Sequence, residues 1–265
     1  MLKKIISSIF SIINLSIIKK DKLIKIDNER KYYRHELHKL KFLFSNPRIN
    51  EPKKISKIAK ESFSQIFQDL FVINETNYKK NGYFIEIGAA DGMYFSNTYL
   101  LESKFSWNGL VVEPVQTWHE DLYKNRSCII STDCLHSTSE VEVEFNETVK
   151  PAFSFINIKN PKGLDNSKNM KQKVKDSYIL KTISMNDLFE KYDIPNQVDY
   201  LSIDVEGAEY DILKTFNFEQ YKISIITIEH GFTKNREKIF ELLTSKGYSR
   251  VQEDFSQFDD WYVLN

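Results

Sequence analysis

The 265-residue chain has two cysteines, Cys128 and Cys134. Two thiols cannot build a disulfide framework or close a structural zinc site by themselves, and a reducing cytoplasm is the expected setting. A charge excess is also missing, since 37 Lys and Arg balance 37 Asp and Glu. Duplex nucleic-acid binders draw affinity from neutralising phosphates, so no nucleic-acid partner is expected. The N-terminal apolar stretch Ile5–Ile18 is broken by Ser7, Ser8, Ser11, Asn14 and Ser16. It falls short of the ~20 apolar residues that span a bilayer. Glycine is scarce, eight in all, so each glycine inside a patterned segment is informative about backbone geometry. Hydrophobic residues at 41% and charged residues at 28% argue against wholesale disorder and against a polytopic membrane protein.

The pattern changes near residue 60. Residues 1–60 read as a helical appendage, with Lys3-Lys4 and Lys19-Lys20 flanking Ile5–Ile18, a helix around Glu29–Phe44, and turn signals at Pro47 and Pro52. On a helical wheel Ser7, Ser11 and Asn14 share one face, while Ile5, Ile9, Ile12 and Ile13 lie largely on another. Two readings stay open. Residues 1–20 make peripheral contact with the inner face of a membrane, or they pack on the main domain or on a second copy in a homo-oligomer.

Residues 61–265 alternate short apolar runs with helical patterns. Tyr83–Ile87, Gly109–Val112, Cys128–Ser131, Val198–Ile203 and Ile223–Ile228 read as buried strands. Helices are expected at Asn97–Lys104, Val115–Lys124, Met185–Tyr192, Glu209–Phe216 and Arg236–Lys246. This alternation predicts a doubly wound, mostly parallel α/β sheet, ending in an antiparallel hairpin of Tyr248–Gln252 and Trp261–Leu264. The stretch Ile158–Lys175, rich in lysine, reads as a surface loop or lid that could recognise an anionic acceptor.

Such sheets bind ligands beyond the carboxyl ends of their strands. After the first strand comes Glu86-Ile87-Gly88-Ala89-Ala90-Asp91-Gly92, and after the second Glu113, 21 residues beyond Gly92. An acid there is placed for ribose hydroxyls. The first loop is neither a G-x-x-x-x-G-K-[ST] nor a G-x-G-x-x-G element, and Glu86 and Asp91 would repel a pyrophosphate. S-adenosylmethionine carries a sulfonium and an ammonium instead, which acids suit. That argues against an NAD-linked or nucleotide-sugar enzyme.

The segments Phe84–Gly92, Ser96-Asn97-Thr98, Trp107–Pro114 and Tyr200–Tyr210, with Ser64-Gln65 and Gln68-Asp69 upstream, resemble the FkbM-type methyltransferases. The resemblance implies a class I methyltransferase (Rossmann-like) fold with a seven-stranded sheet. It further implies S-adenosylmethionine as donor and a hydroxyl on a sugar or a related polysaccharide or natural-product precursor as acceptor. On it, Glu86, Gly88 and Gly92 line the donor, with Ala89, Asp91 and Asn97 also binding it. Glu113 holds the ribose, Asp133 lies near the adenine, and Asp204 faces the methyl group. The catalytic candidates are Asp204, Glu206, Glu229 and His230. A carboxylate beside a histidine can deprotonate a hydroxyl, and Asp204 with Glu229 could instead hold Mg²⁺. The alternative is a non-catalytic FkbM-like fold acting as a membrane-associated binding protein.

Overall fold

The structure, a computed structural model, describes residues 24–30, 32–157 and 173–265. The apolar N-terminal stretch and most of the lysine-rich loop lie outside the described residues. Contacts divide the chain into two compact units, Met1–Ile49 and Asn50–Asn265. In the first, residues 24–30 and 32–45 are helical. Among the described residues no helix is long and apolar enough to cross a membrane.

Among its described residues the second unit holds eleven strands in chain order: β1 (Tyr83–Ile87), β2 (Asn108–Val112), β3 (Ile129–Ser131), β4 (Cys134–Leu135), β5 (Glu142–Thr148), β6 (Phe155–Asn157), β7 (Val174–Ile183), β8 (Gln197–Ile203), β9 (Lys222–Glu229), β10 (Tyr248–Val251) and β11 (Asp259–Leu264). Seven form one sheet in the order β10-β11-β9-β8-β1-β2-β3. β1 runs parallel to β2 and β8, and β8 parallel to β9, while β11 is antiparallel to both β9 and β10. The apolar runs at its centre are dry, as Ile85, Leu110, Leu201 and Ile226 show. The order reverses at β1, between β2 and β8, which opens the ligand crevice there. This is the class I methyltransferase arrangement, with the antiparallel hairpin at one edge.

Helix boundaries follow local chemistry. Ser184 Oγ accepts the Asp187 N–H at 3.2 Å and donates to Asp187 Oδ2 at 2.7 Å, capping Met185–Lys191.

A second sheet, β4-β7-β5-β6, is inserted between β3 and this helix. The sequence pattern did not reveal it, because polar residues such as Lys175, Asp176 and Ser177 leave no continuous apolar run. Its hidden side packs Phe145 with Val115 and Cys134.

Candidate donor-binding and catalytic site

A cavity of about 300 Å³ opens at the carboxyl ends of β1, β2 and β8. Its two sides differ in chemistry. The loops after the parallel strands bring Glu113, Asp133 and Asp204, and the second sheet brings Leu135, Phe145, Phe155 and Ile156.

The loop after β1 is pinned from below. Gly88 has φ +89°, and a Cβ there would sit 1.9 Å from the Asp204 carbonyl oxygen, so only glycine allows β1 and β8 to end in contact. Glu113, at 5% exposure, accepts the Ala90 N–H at 2.8 Å on one oxygen and the Val115 N–H at 2.8 Å on the other. Burial pushes its carboxyl up to about 7. Asp91 Oδ1 accepts the Met93 and Tyr94 N–H groups at 2.9 and 2.6 Å, shaping the turn. Gly92, at φ +81°, packs over Leu122 and Arg126, and the cavity lining does not include it.

Glu86 is enclosed by the protein's own donors. It takes the Asn97 N–H at 2.6 Å, Ser96 Oγ at 2.8 Å, Thr98 Oγ1 at 2.6 Å and Arg126 Nη1 at 3.2 Å. Its carboxylate therefore locks residues 96–98 in place while its side chain still borders the cavity. Arg126, with a fully buried side chain, was not singled out from the sequence. Its partners lie 24 to 40 residues away in the chain, so no local spacing marks it. Asn97 donates from Nδ2 to Ser202 Oγ at 2.9 Å, while its buried Oδ1 has no hydrogen-bond partner among the described residues. Asp133 accepts Lys191 Nζ at 2.7 Å and Ser131 Oγ at 2.6 Å. Partial burial opposes ionisation there, but these donors outweigh it and hold the carboxyl below its ordinary value.

The strand ends of β8, β9 and β11 gather acids. Asp204, Glu206 and Glu229 each place a carboxylate oxygen within 4.8 Å of the others. Asp204 presents an exposed side chain to the cavity. Desolvation within that cleft, with Glu229 beside it, raises its carboxyl well above the usual range. Burial holds Glu229 at about 7. Glu206, at φ +57°, and Gly207 form a left-handed turn that Glu209 secures by accepting the Gly207 N–H at 2.9 Å. Asp259, missed from the sequence, faces Glu229 across the β9–β11 pair and accepts Gln68 Nε2 at 2.8 Å. Burial raises it to about 8. The signal was available: Asp259-Asp260 are two acids opening an otherwise apolar strand.

The structure does not bring His230 to the cavity. Its ring is buried, Nδ1 accepts the Phe232 N–H at 2.9 Å, and Nε2 lies 3.8 Å from Asp260 Oδ1. Neighbouring residues leave a strand on opposite sides. Glu229 therefore meets Asp204, while His230 joins the network of Asp260 and Arg236.

The methyltransferase FkbM domain matches residues 86–262, more than half of the chain. The chain belongs to the FkbM methyltransferase family. Comparison with curated proteins gives no match. Among solved structures, a putative RNA methyltransferase from Pyrococcus horikoshii is similar at 9% identity and TM-score 0.39, covering 81% of this chain and 98% of that one. A precorrin-6y C5,15-methyltransferase from Geobacter metallireducens is similar at 10% identity and TM-score 0.36, covering 74% and 85%.

Membership of the FkbM family implies S-adenosylmethionine as methyl donor, and the residues fit it. Six acids line the cavity (Glu86, Glu113, Asp133, Asp204, Glu206 and Asp259) against one Lys or Arg among the described residues, Lys150. Such a lining suits a cationic ligand and disfavours a phosphate. The buried Asn97 Oδ1 is an acceptor in need of a donor, which an ammonium supplies.

Proposed function

We propose that this FkbM-family methyltransferase methylates a hydroxyl on a saccharide-type acceptor. The observation that carries the reading is the acid-rich floor at the strand ends, where Asp204 faces the cavity with its proton affinity raised. S-adenosylmethionine supplies, when bound, an electrophilic methyl group on a sulfonium. Glu113 takes the ribose hydroxyls, Asn97 Oδ1 the ammonium, and Asp133 marks the adenine side. The apolar residues of the second sheet, Phe145, Phe155 and Ile156, cover that side and exclude water.

Asp204 accepts the acceptor's proton as the oxygen becomes a nucleophile. A carboxyl raised well above its ordinary value carries a proton near neutrality, so as Asp204 takes the acceptor's proton it passes its own along the hydrogen bond to Glu229, and the pair acts as the base. Glu206 completes the acid group on the cavity side. The fixed strand ends supply the in-line approach on which such a displacement depends.

A second reading comes from the same cluster: Mg²⁺ held by Asp204, Glu229 and Glu206 polarises the hydroxyl. One assay separates the two. S-adenosylhomocysteine formation with a panel of methyl glycosides is followed before and after chelation. Turnover that survives chelation supports the carboxylate base, and turnover lost and restored by Mg²⁺ supports the metal. Donor binding with no turnover on any hydroxyl would favour the non-catalytic binding protein instead.

A further inference from the structure

Two large aromatic side chains stand in water at the mouth of the cavity. Tyr94 is 58% and Phe95 44% exposed, both line the cavity, and their ring centroids are 3.8 Å apart at 36°. Their loop is held in shape. Asp91 Oδ1 takes the Tyr94 N–H, the Ser96 N–H reaches the Met93 carbonyl at 3.1 Å, and Phe95 sits at φ +62° in a bridge with Ser64. A non-glycine residue keeps that conformation only where its surroundings impose it.

The bridge joins this loop to the Ser64–Asp69 segment, which brings polar groups to the same end of the cavity. Gln65 lines it, and the buried Gln68 spends Oε1 on the Ile66 N–H at 3.1 Å and Nε2 on Asp259 Oδ2. Asp259, itself on the cavity, is thereby held in one orientation.

An apolar platform at the same end of the cavity as the held Asp259 carboxylate and the Gln65 carboxamide matches one kind of molecule. A pyranose ring has a C–H face that packs on aromatic rings and a rim of hydroxyls that donate to such acceptors. A flat aromatic alcohol offers too few hydroxyls to satisfy Gln65 and Asp259 together, and a polyanion would meet the acidic floor. We infer that Tyr94 and Phe95, with Gln65 and the Gln68-held Asp259, form the acceptor subsite and take a neutral pyranose ring. This deepens the function proposed above and rests on it.

The test uses the full chain loaded with S-adenosylhomocysteine, with loading measured first by calorimetry. If loading fails, the donor reading fails before any sugar is added. On the loaded protein, saturation-transfer NMR with methyl glucopyranoside, methyl rhamnopyranoside, methyl glucuronide and catechol reads the acceptor end. The neutral pyranosides should show transfer to their ring C–H protons. Tyr94→Ala with Phe95→Ala should weaken them by about tenfold or more. Tyr94→Phe should retain binding and Asp259→Asn should weaken it, and S-adenosylhomocysteine affinity should stay within about twofold of wild type in the two aromatic variants. No transfer to either neutral pyranoside, undiminished binding in the double variant, or preference for catechol or the glucuronide would overturn the subsite.

Discussion

In the seven-stranded sheet the central strands β1, β8 and β9 are buried along most of their length, and their ends carry Asp204 and Glu229. In the four-stranded sheet β7 is largely exposed, with Ile179 at 64%, and a few residues such as Phe145 are hidden. The first therefore positions charge, because a dry, close-packed scaffold tolerates little displacement. The second supplies an apolar cover whose outer face is free to vary. Precision and adaptability are assigned to different sheets of one domain.

The comparison breaks most severely at Gly88. Gly88→Ala forces a side chain into the Asp204 carbonyl in a left-handed conformation, and should cost about 2–5 kcal/mol by urea unfolding. A variant as stable as the wild type would mean that the two strand ends separate easily. Next comes chemistry at the same strand ends. Asp204→Asn should lower kcat by about 10²–10⁴-fold with the fold intact. His230→Ala, off the cavity, should leave kcat nearly unchanged and lose about 1–3 kcal/mol of stability. The reverse pattern would return the base to His230.

Donor affinity is the next smaller effect. Glu113→Ala should weaken calorimetric binding of S-adenosylmethionine about 10–100-fold. The acids that crowd this floor also set a pH dependence. Glu113 and Glu229 at about 7 and Asp259 at about 8 stand above their ordinary values of 4.5, 4.5 and 3.8. The folded protein therefore holds protons that the unfolded chain releases, and their contribution is complete below about pH 4 and is lost as pH rises through 7–8. Thermal scans of the donor-free protein should give a lower midpoint at pH 8.5 than at pH 6.5. Donor should stabilise more at the higher pH. The smallest effect belongs to the outer face of the second sheet, where Ile179→Thr should change stability by no more than about 0.5 kcal/mol.

The central sheet was readable in the sequence because strands buried on both sides need unbroken apolar runs, and the runs of β2 and β8 are followed directly by residues that face the crevice. Glu113 and Asp204 were found that way, and both line the cavity. The second sheet was not readable, since strands wet on one face mix Glu142 and Glu144 with Val143 and Phe145. Partnerships were harder still. That Glu86 would be spent on Ser96, Thr98 and Arg126, or that Gln68 would reach Asp259 across 191 residues, depends on packing between distant segments. Glu229 and His230 are neighbours in sequence, and only the strand's alternation shows that they serve different faces.

The seam between β1 and β8 has a consequence for how such an enzyme changes over generations. The Asp204 N–H donates to the Ile87 carbonyl at 2.9 Å, and Gly88 lies against Asp204 in turn. The turn after β1 and the acid at the end of β8 are thus one rigid piece. With donor and acceptor seated on them as proposed above, a mutation that retunes either strand end shifts both at once. On that proposal, inheritable variety in what is methylated enters through the Tyr94–Phe95 rim and the inserted sheet, where a residue can be exchanged without disturbing the fastening below.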